Sequence, residues 1–198
     1  RLNTHAEILP MVMGAVALGK ILDTGRFAFE RAALAPGWLK ELRGEHVPET
    51  EEYGIASSVY RARRPFHPQR FYDLIEGPWL NGKLLRSKGF FWLASKPEDA
   101  ASWSQAGGLM RHGFAGSWWR FVPREQWPED AESTAAIMTN WLPETGDCRQ
   151  ELVFIGQHID FARLNAELDD CLLNDAEMAL GVEGWRSLAD PFGPWFDA

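Results

Sequence analysis

Four bulky apolar residues in a row, Leu152-Val153-Phe154-Ile155, follow three charged residues at alternate positions, Asp147, Arg149 and Glu151, and the pattern ends at Gly156. The apolar run predicts a strand buried in the middle of a sheet. Residues two apart on a strand share a face, so the three charges line one side at its mouth. Charges beside a buried run cost desolvation unless they are paired. Such a cluster either does chemistry or locks the fold.

The rest of the chain supplies partners for this strand. Ala6–Met13 reads as a short apolar strand ended by Gly14, and Ala15–Leu22 as a turn or two of helix. Phe27–Leu34 predicts a helix stopped by Pro36-Gly37, with a further helical turn over Trp38–Leu42. Gly44–Glu52 is polar, acidic and contains proline, and it marks a domain boundary. Ile55, Ser57, Val59 and Arg61 alternate with Ala56, Ser58, Tyr60 and Ala62, as on a strand. Pro68 suits the first turn of a helix, Phe71, Leu74 and Ile75 give helical spacing, and Gly77-Pro78 ends it. Leu84–Ala94 predicts a strong strand, with Gly89 marking a bulge or a close backbone approach.

Pro97–Ala100 reads as a turn, Trp103–Trp119 as one or two strands, and Pro123–Glu132 as a loop or short helix. Ser133–Trp141 fits either a strand or a helix. After the opening stretch, Asp160 caps an amphipathic helix marked by Phe161, Leu164, Leu168, Cys171 and Leu172, and Asn174 starts another. The tail Gly181–Ala198 carries Trp185, Phe192, Trp195 and Phe196 and is expected to be docked.

The order is strand, helix, strand, one or two strands, then helix. It defines an α+β domain: a two-layer antiparallel or mixed sheet with helices on one face. The strand–helix piece before it reads as the last unit of an α/β domain. The expected division is 1–45, a linker over 46–52, and a second domain over 53–198. The chain starts at Arg1 in mid-pattern, which reads as a piece of a longer protein.

Composition narrows the function classes. The 198 residues are 45% hydrophobic, enough for one full core and part of a second. A net charge of −8 argues against non-specific nucleic-acid binding. Met11–Leu22 is interrupted by Gly14, Gly19 and Lys20 and falls short of the ~20 apolar residues of a membrane span. Neither nucleic acid nor membrane is expected as a partner. The two cysteines, Cys148 and Cys171, form no C-x-x-C pair, which suits reduced thiols in the cytoplasm. The ten tryptophans should be mostly core, with a few at an interface.

Five motifs in order resemble a known family: Glu52-Tyr53-Gly54-Ile55; Val59-Tyr60-Arg61-Ala62-Arg63-Arg64-Pro65-Phe66-His67-Pro68; Arg86-Ser87-Lys88-Gly89-Phe90-Phe91-Trp92; Gly146 to Gly156; and Asp190-Pro191-Phe192. Together they look like the C-terminal domain of CobW-type proteins, P-loop GTPases that chaperone or insert metals. Many of these handle zinc and some cobalt. Residues 1–45, with Thr24-Gly25-Arg26-Phe27, resemble the end of the family's GTPase domain.

The phosphate loop G-x-x-x-x-G-K-[ST] is absent, because Ile21 stands where the Mg²⁺-binding hydroxyl belongs after Gly14, Gly19 and Lys20. The C-x-C-C metal motif is also absent. The resemblance implies a zinc cargo (cobalt in some members), with GTP and Mg²⁺ handled only by an N-terminal domain outside this chain. The implied partners are a client metalloprotein and the protein's own GTPase domain. This chain alone is expected not to hydrolyse GTP, and no catalytic or cofactor-binding residue is assigned. The runner-up is a stand-alone protein-interaction domain without metal or nucleotide role. A hydrolase reading is weak, since no serine or cysteine stands in a nucleophile-elbow setting.

Two sets of residues remain as candidates. Arg86 and Lys88 share a strand face and can pair across the sheet with Asp147, Arg149 and Glu151, either fixing register or sensing nucleotide state. His67, at a strand-to-helix corner, is either bonded to backbone or a zinc or cobalt ligand. A metal needs three or four ligands, so its companions would be His158, Cys148, His112 or residues outside this chain. Arg149 close to Cys148 would favour the thiolate. Cys171 falls on an apolar stripe and reads as core, and Trp103, Trp118 and Trp119 read as a packed face or a docking surface.

Overall fold

The computed structural model describes residues 6–30 and 54–195. The chain forms two compact units, residues 1–47 and 48–198. In the first, the described residues carry an isolated antiparallel bridge, Val12 to Ala15, and a 3₁₀ turn, Leu18–Lys20. The expected strand over Ala6–Met13 is not formed there, and the expected turn or two of helix over Ala15–Leu22 is that single 3₁₀ turn. Pro10 removes a ladder donor, and Gly14 adopts a left-handed φ of 82° that turns the chain back on itself. Lys20 and Arg26 both pair with Glu7. The expected turn over Trp38–Leu42, the linker over 46–52 and the second half of the helix over Phe27–Leu34 lie outside the described residues.

The second unit is an α+β domain. Strand β1 (Ile55–Ala62) leads through a proline-rich corner to helix α1 (Pro68–Glu76). Pro68 occupies the first helical turn, where its missing N–H costs nothing, and the His67 side chain caps the helix. Strands β2 (Lys83–Trp92), β3 (Asp99–Ala106) and β4 (Leu109–Ser117) follow as a meander. The expected turn at Pro97–Ala100 lies slightly earlier, since Asp99 and Ala100 already belong to β3. Helix α2 (Ala131–Thr139), capped by Asp130, resolves the ambiguous stretch Ser133–Trp141 as helix. Strand β5 (Gln150–Gln157) then leads to α3 (Phe161–Asp169), α4 (Asp175–Met178) and α5 (Gly181–Trp185). Asp160 caps α3 as expected, while Cys171 and Leu172 lie beyond its end. Asn174 and Glu177 form a reciprocal capping box on α4.

The five strands are ordered β1-β5-β2-β3-β4, and every neighbouring pair is antiparallel. β5 is therefore central, as its apolar run predicts. It alternates strictly: Gln150, Leu152, Phe154 and Gly156 are buried and the residues between are half-exposed. On the buried face, Leu152 and Phe154 join Tyr60, Phe91 and Trp103 from the other strands and Phe71, Leu164 and Leu168 from α1 and α3. Phe71 is the hub, its ring 4.2 Å from Phe66, 5.2 Å from Phe91 and 5.9 Å from Trp103. The aromatic tail is docked, with Phe192 and Trp195 against Phe91 and Lys96 paired with Asp190. Gly89 meets the β5 backbone so closely that an added Cβ would collide with the Glu151 carbonyl oxygen.

Candidate functional site

The charged half of the opening stretch does assemble at the head of β5. Asp147 is almost fully buried, and its carboxylate accepts hydrogen bonds from the Trp119 N–H and the Arg120 N–H, both at 3.0 Å. It thereby caps the 3₁₀ turn Trp119–Phe121. Arg149 donates from Nε to Glu151 at 2.8 Å and from Nη1 to the Asp147 carbonyl at 3.0 Å. Glu151 also accepts from Arg61 at 3.1 Å, its direct cross-strand neighbour on β1. The Arg149 hydrogen bond, with Arg61 adding to it, holds the Glu151 carboxyl below its usual range against the opposing effect of burial.

Arg86 and Lys88 do not join this network. β2 does neighbour β5, but the register sets Arg86 opposite Ile155, Lys88 opposite Val153, and Phe90 opposite Glu151. A register shift between Leu84 and Arg86 sets that offset. Among the described residues neither cation lies within ion-pair distance of a carboxylate. The place assigned to them is taken by Arg61. Its signal was present in the sequence, since it shares a face with Val59 and Ser57, but it needed the β1-β5 pairing to be known.

The three metal candidates are not brought together. Cys148 is fully buried among Trp92, Trp118, Leu173 and Trp185. Burial, with Asp147 adding, pushes its thiol up far above the ordinary range; Arg120 and Arg63 oppose this less strongly. The expected thiolate promotion by Arg149 is therefore not found. His67 accepts the Arg70 N–H at Nδ1 as a helix cap, and its backbone N–H donates to the Cys171 carbonyl at 2.8 Å. Burial and the Arg70 guanidinium lower its pKa. His158 sits in a left-handed turn, φ 54°, with its ring over Gly54. Cys148 precedes β5 and His158 follows it, which puts them roughly 30 Å apart along an extended strand. His112 packs edge-on against Phe192 and Trp195. Among the described residues no group of three or more His, Cys, Asp or Glu side chains is arranged to hold a metal ion.

Trp103 and Trp118 are core, and Trp119 meets Trp127 edge-on with ring centroids 5.6 Å apart. Cys171 is buried as expected, with its thiol pushed up to about 12. The sequence reading missed Gln150. This side chain is fully buried, accepts the Trp92 N–H at 2.9 Å, and donates to the Trp92 and Arg64 carbonyls, both at 2.9 Å. A glutamine leading an apolar strand was its signal. Also missed was the fork of Arg70 onto Glu177, two bonds of 2.7 Å that join α1 to α4.

A cavity of about 930 Å³ opens between α1, α3 and the β3–β4 hairpin, floored by Phe71, Trp103, Leu152 and Leu164. A smaller recess of about 350 Å³ lies on the other side of the sheet, where Phe90 and Arg149 border Ala136 and Ile137 of α2.

These features coincide with the family signature. Residues 55–172 match the model of the cobalamin synthesis protein CobW C-terminal domain, so the chain belongs to the CobW-type family. A zinc-regulated GTPase metalloprotein activator of Dictyostelium discoideum is 45% identical over 192 residues, 96% of this chain and 40% of that relative. A zinc chaperone of Mycobacterium tuberculosis is 31% identical over 144 residues, 72% of this chain and 35% of the relative. A zinc-bound YjiA GTPase of E. coli aligns over 87% of this chain and 45% of its own, at 18% identity and a TM-score of 0.44. The chain thus spans less than half the length of the curated relatives it matches.

Proposed function

We propose that residues 53–198 are the client-contacting and regulatory domain of a GTP-dependent zinc chaperone, and that residues 1–45 end its GTPase domain, with 46–52 as linker. The observation that carries this reading is a division of parts. The domain that carries the family match is well packed, while its described residues hold no metal cluster and its sequence no phosphate loop. Zinc is then cargo, and GTP and Mg²⁺ act on a different part of the protein. The names of the relatives support zinc and a metalloprotein client. The network of Arg61, Asp147, Arg149 and Glu151 suits a coupling role. Its charge-assisted bonds link β1, β5 and the Trp119–Phe121 turn, so a push on any one reaches the others.

The test is zinc transfer from a longer protein, with a GTPase domain joined to this chain, to an apo metalloprotein client, with and without GTP. GTP-dependent transfer that needs residues 54–195 is expected. Transfer of equal rate from the GTPase domain alone would overturn the reading and favour an interaction domain without metal role. The 198-residue chain by itself is expected to release no phosphate from GTP above buffer. Turnover by the purified chain would remove the division of parts. His67→Ala is expected to leave zinc affinity unchanged, since among the described residues no group of three or more possible ligands includes it.

A further inference from the structure

Positive charge collects on the sheet face turned away from α1 and α3. That face is formed by Ser57, Val59 and Arg61 of β1, Glu151, Val153 and Ile155 of β5, and Arg86, Lys88 and Phe90 of β2. Ser102 and Ser104 of β3 and Arg111 and Gly113 of β4 complete it. Glu151 is the single carboxylate among these positions, and Arg61 and Arg149 already share it. Arg86, Lys88 and Arg111 are exposed and have no carboxylate partner among the described residues. Lys88 and Arg111 flank Ser104 in one cross-strand row, two strand spacings or about 10 Å apart. Arg86 stands two residues from Lys88, about 7 Å along β2. The whole chain carries −8, so this face has the opposite sign to the molecule.

We propose that this open face is the docking surface for an acidic segment of the client protein. This rests on the client-contact reading above. The three free cations and the hydroxyls of Ser102 and Ser104 offer donors to carboxylates. An extended segment with acids at alternate positions places them about 7 Å apart, the spacing of Arg86 and Lys88. Val59, Val153, Ile155 and the 46%-exposed Phe90 offer apolar contact beside the charges. The occupant is therefore an acidic stretch with apolar residues between its carboxylates. A nucleic acid fits less well: a long polyanion meets the acidic remainder of the chain, and Phe90 is the one aromatic among the exposed positions named above, Trp92 on the same face being buried.

The test uses the 198-residue chain and a short fluorescent peptide alternating glutamate with valine, leucine and phenylalanine. Anisotropy is expected to show binding that weakens with salt. The double variant Arg86→Glu/Lys88→Glu should lose about tenfold or more in affinity. Arg163→Glu, on α3 at the opposite side of the sheet, should bind as the parent does, and circular dichroism confirms that each variant is folded. Equal binding by the double variant overturns the proposal, and so does tighter binding of an oligothymidylate of matched charge. A third overturning result is a changed GTP affinity when the same double variant is placed in the longer protein, which assigns the face to the GTPase domain instead. Peptide binding involves no zinc, so its failure is separate from a failure of zinc transfer.

Discussion

The two faces of β5 have been given opposite tasks. One face, Gln150, Leu152, Phe154 and Gly156, is buried under α1 and α3, and its single polar group has all its hydrogen bonds inside the protein. The other, Glu151, Val153 and Ile155, stays half-exposed and carries its charge in pairs reachable by water. The same sheet therefore holds a covered region where loss of an atom costs stability and an open region where, on the docking proposal, loss of Arg86 or Lys88 costs mainly recognition. Substitutions that respect or invert this division test it.

The covered face should give the largest effects. Leu152 is fully buried at the centre of the core, so Leu152→Ala is expected to destabilise by about 2 to 5 kcal/mol. Gly89→Val should be at least as severe, because any side chain drives β2 from β5. Both are read as urea midpoints. A loss below about 1 kcal/mol for Leu152→Ala would mean that the cavity beside it lets the core collapse around the gap.

Gln150→Leu sharpens the comparison by keeping size and removing polarity on the covered face. The Trp92 N–H and the Arg64 carbonyl then lose their partner, while the Trp92 carbonyl keeps only the Phe66 N–H at 2.9 Å. A cost of about 2 to 3 kcal/mol is expected, although the substitution adds apolar surface to the core. A neutral result would show that these backbone groups find other partners.

These two positions also mark what could be read from sequence. Leu152 announced itself through an apolar run, and the central strand, the Pro68 helix start, the Asp160 cap and the Gly89 close approach follow from equally local rules. Gln150 did not, because its bonds reach to β2 and to the corner after β1, which are distant in sequence. The misplacement of Arg86 and Lys88 has the same origin. Alternation gives their face correctly, but the shift between Leu84 and Arg86 decides which β5 residue each one meets, and no periodicity contains that shift. His67, His158 and Cys148 have only a metal-binding residue type in common, and strand length separates Cys148 from His158.

The Arg70–Glu177 fork, which ties α1 to α4, should give an intermediate effect with a pH signature. Chiefly through its hydrogen bonds to Arg70, the Glu177 carboxyl is lowered to about 2 from an ordinary 4.5. A depressed folded pKa contributes stability above about 4.5 that is lost as pH falls toward about 2. Glu177→Gln should therefore cost about 1 to 2 kcal/mol at pH 7 and little at pH 2. Melting temperatures of the two chains that stay equally far apart at pH 7 and pH 2 would exclude the ion pair as the cause.

The smallest stability effect belongs to the open face. Arg86 is exposed, stands opposite Ile155, and holds no carboxylate among the described residues. Arg86→Ala should therefore change stability by no more than about 0.5 kcal/mol. Relief of repulsion from Lys88 and Arg111 can even make the change slightly favourable, most visibly at low salt where exposed charges are least screened. A loss of 2 kcal/mol in Arg86→Ala would mean that this arginine supports the sheet itself, and the division between a covered face that stabilises and an open face that recognises would fail at its clearest position.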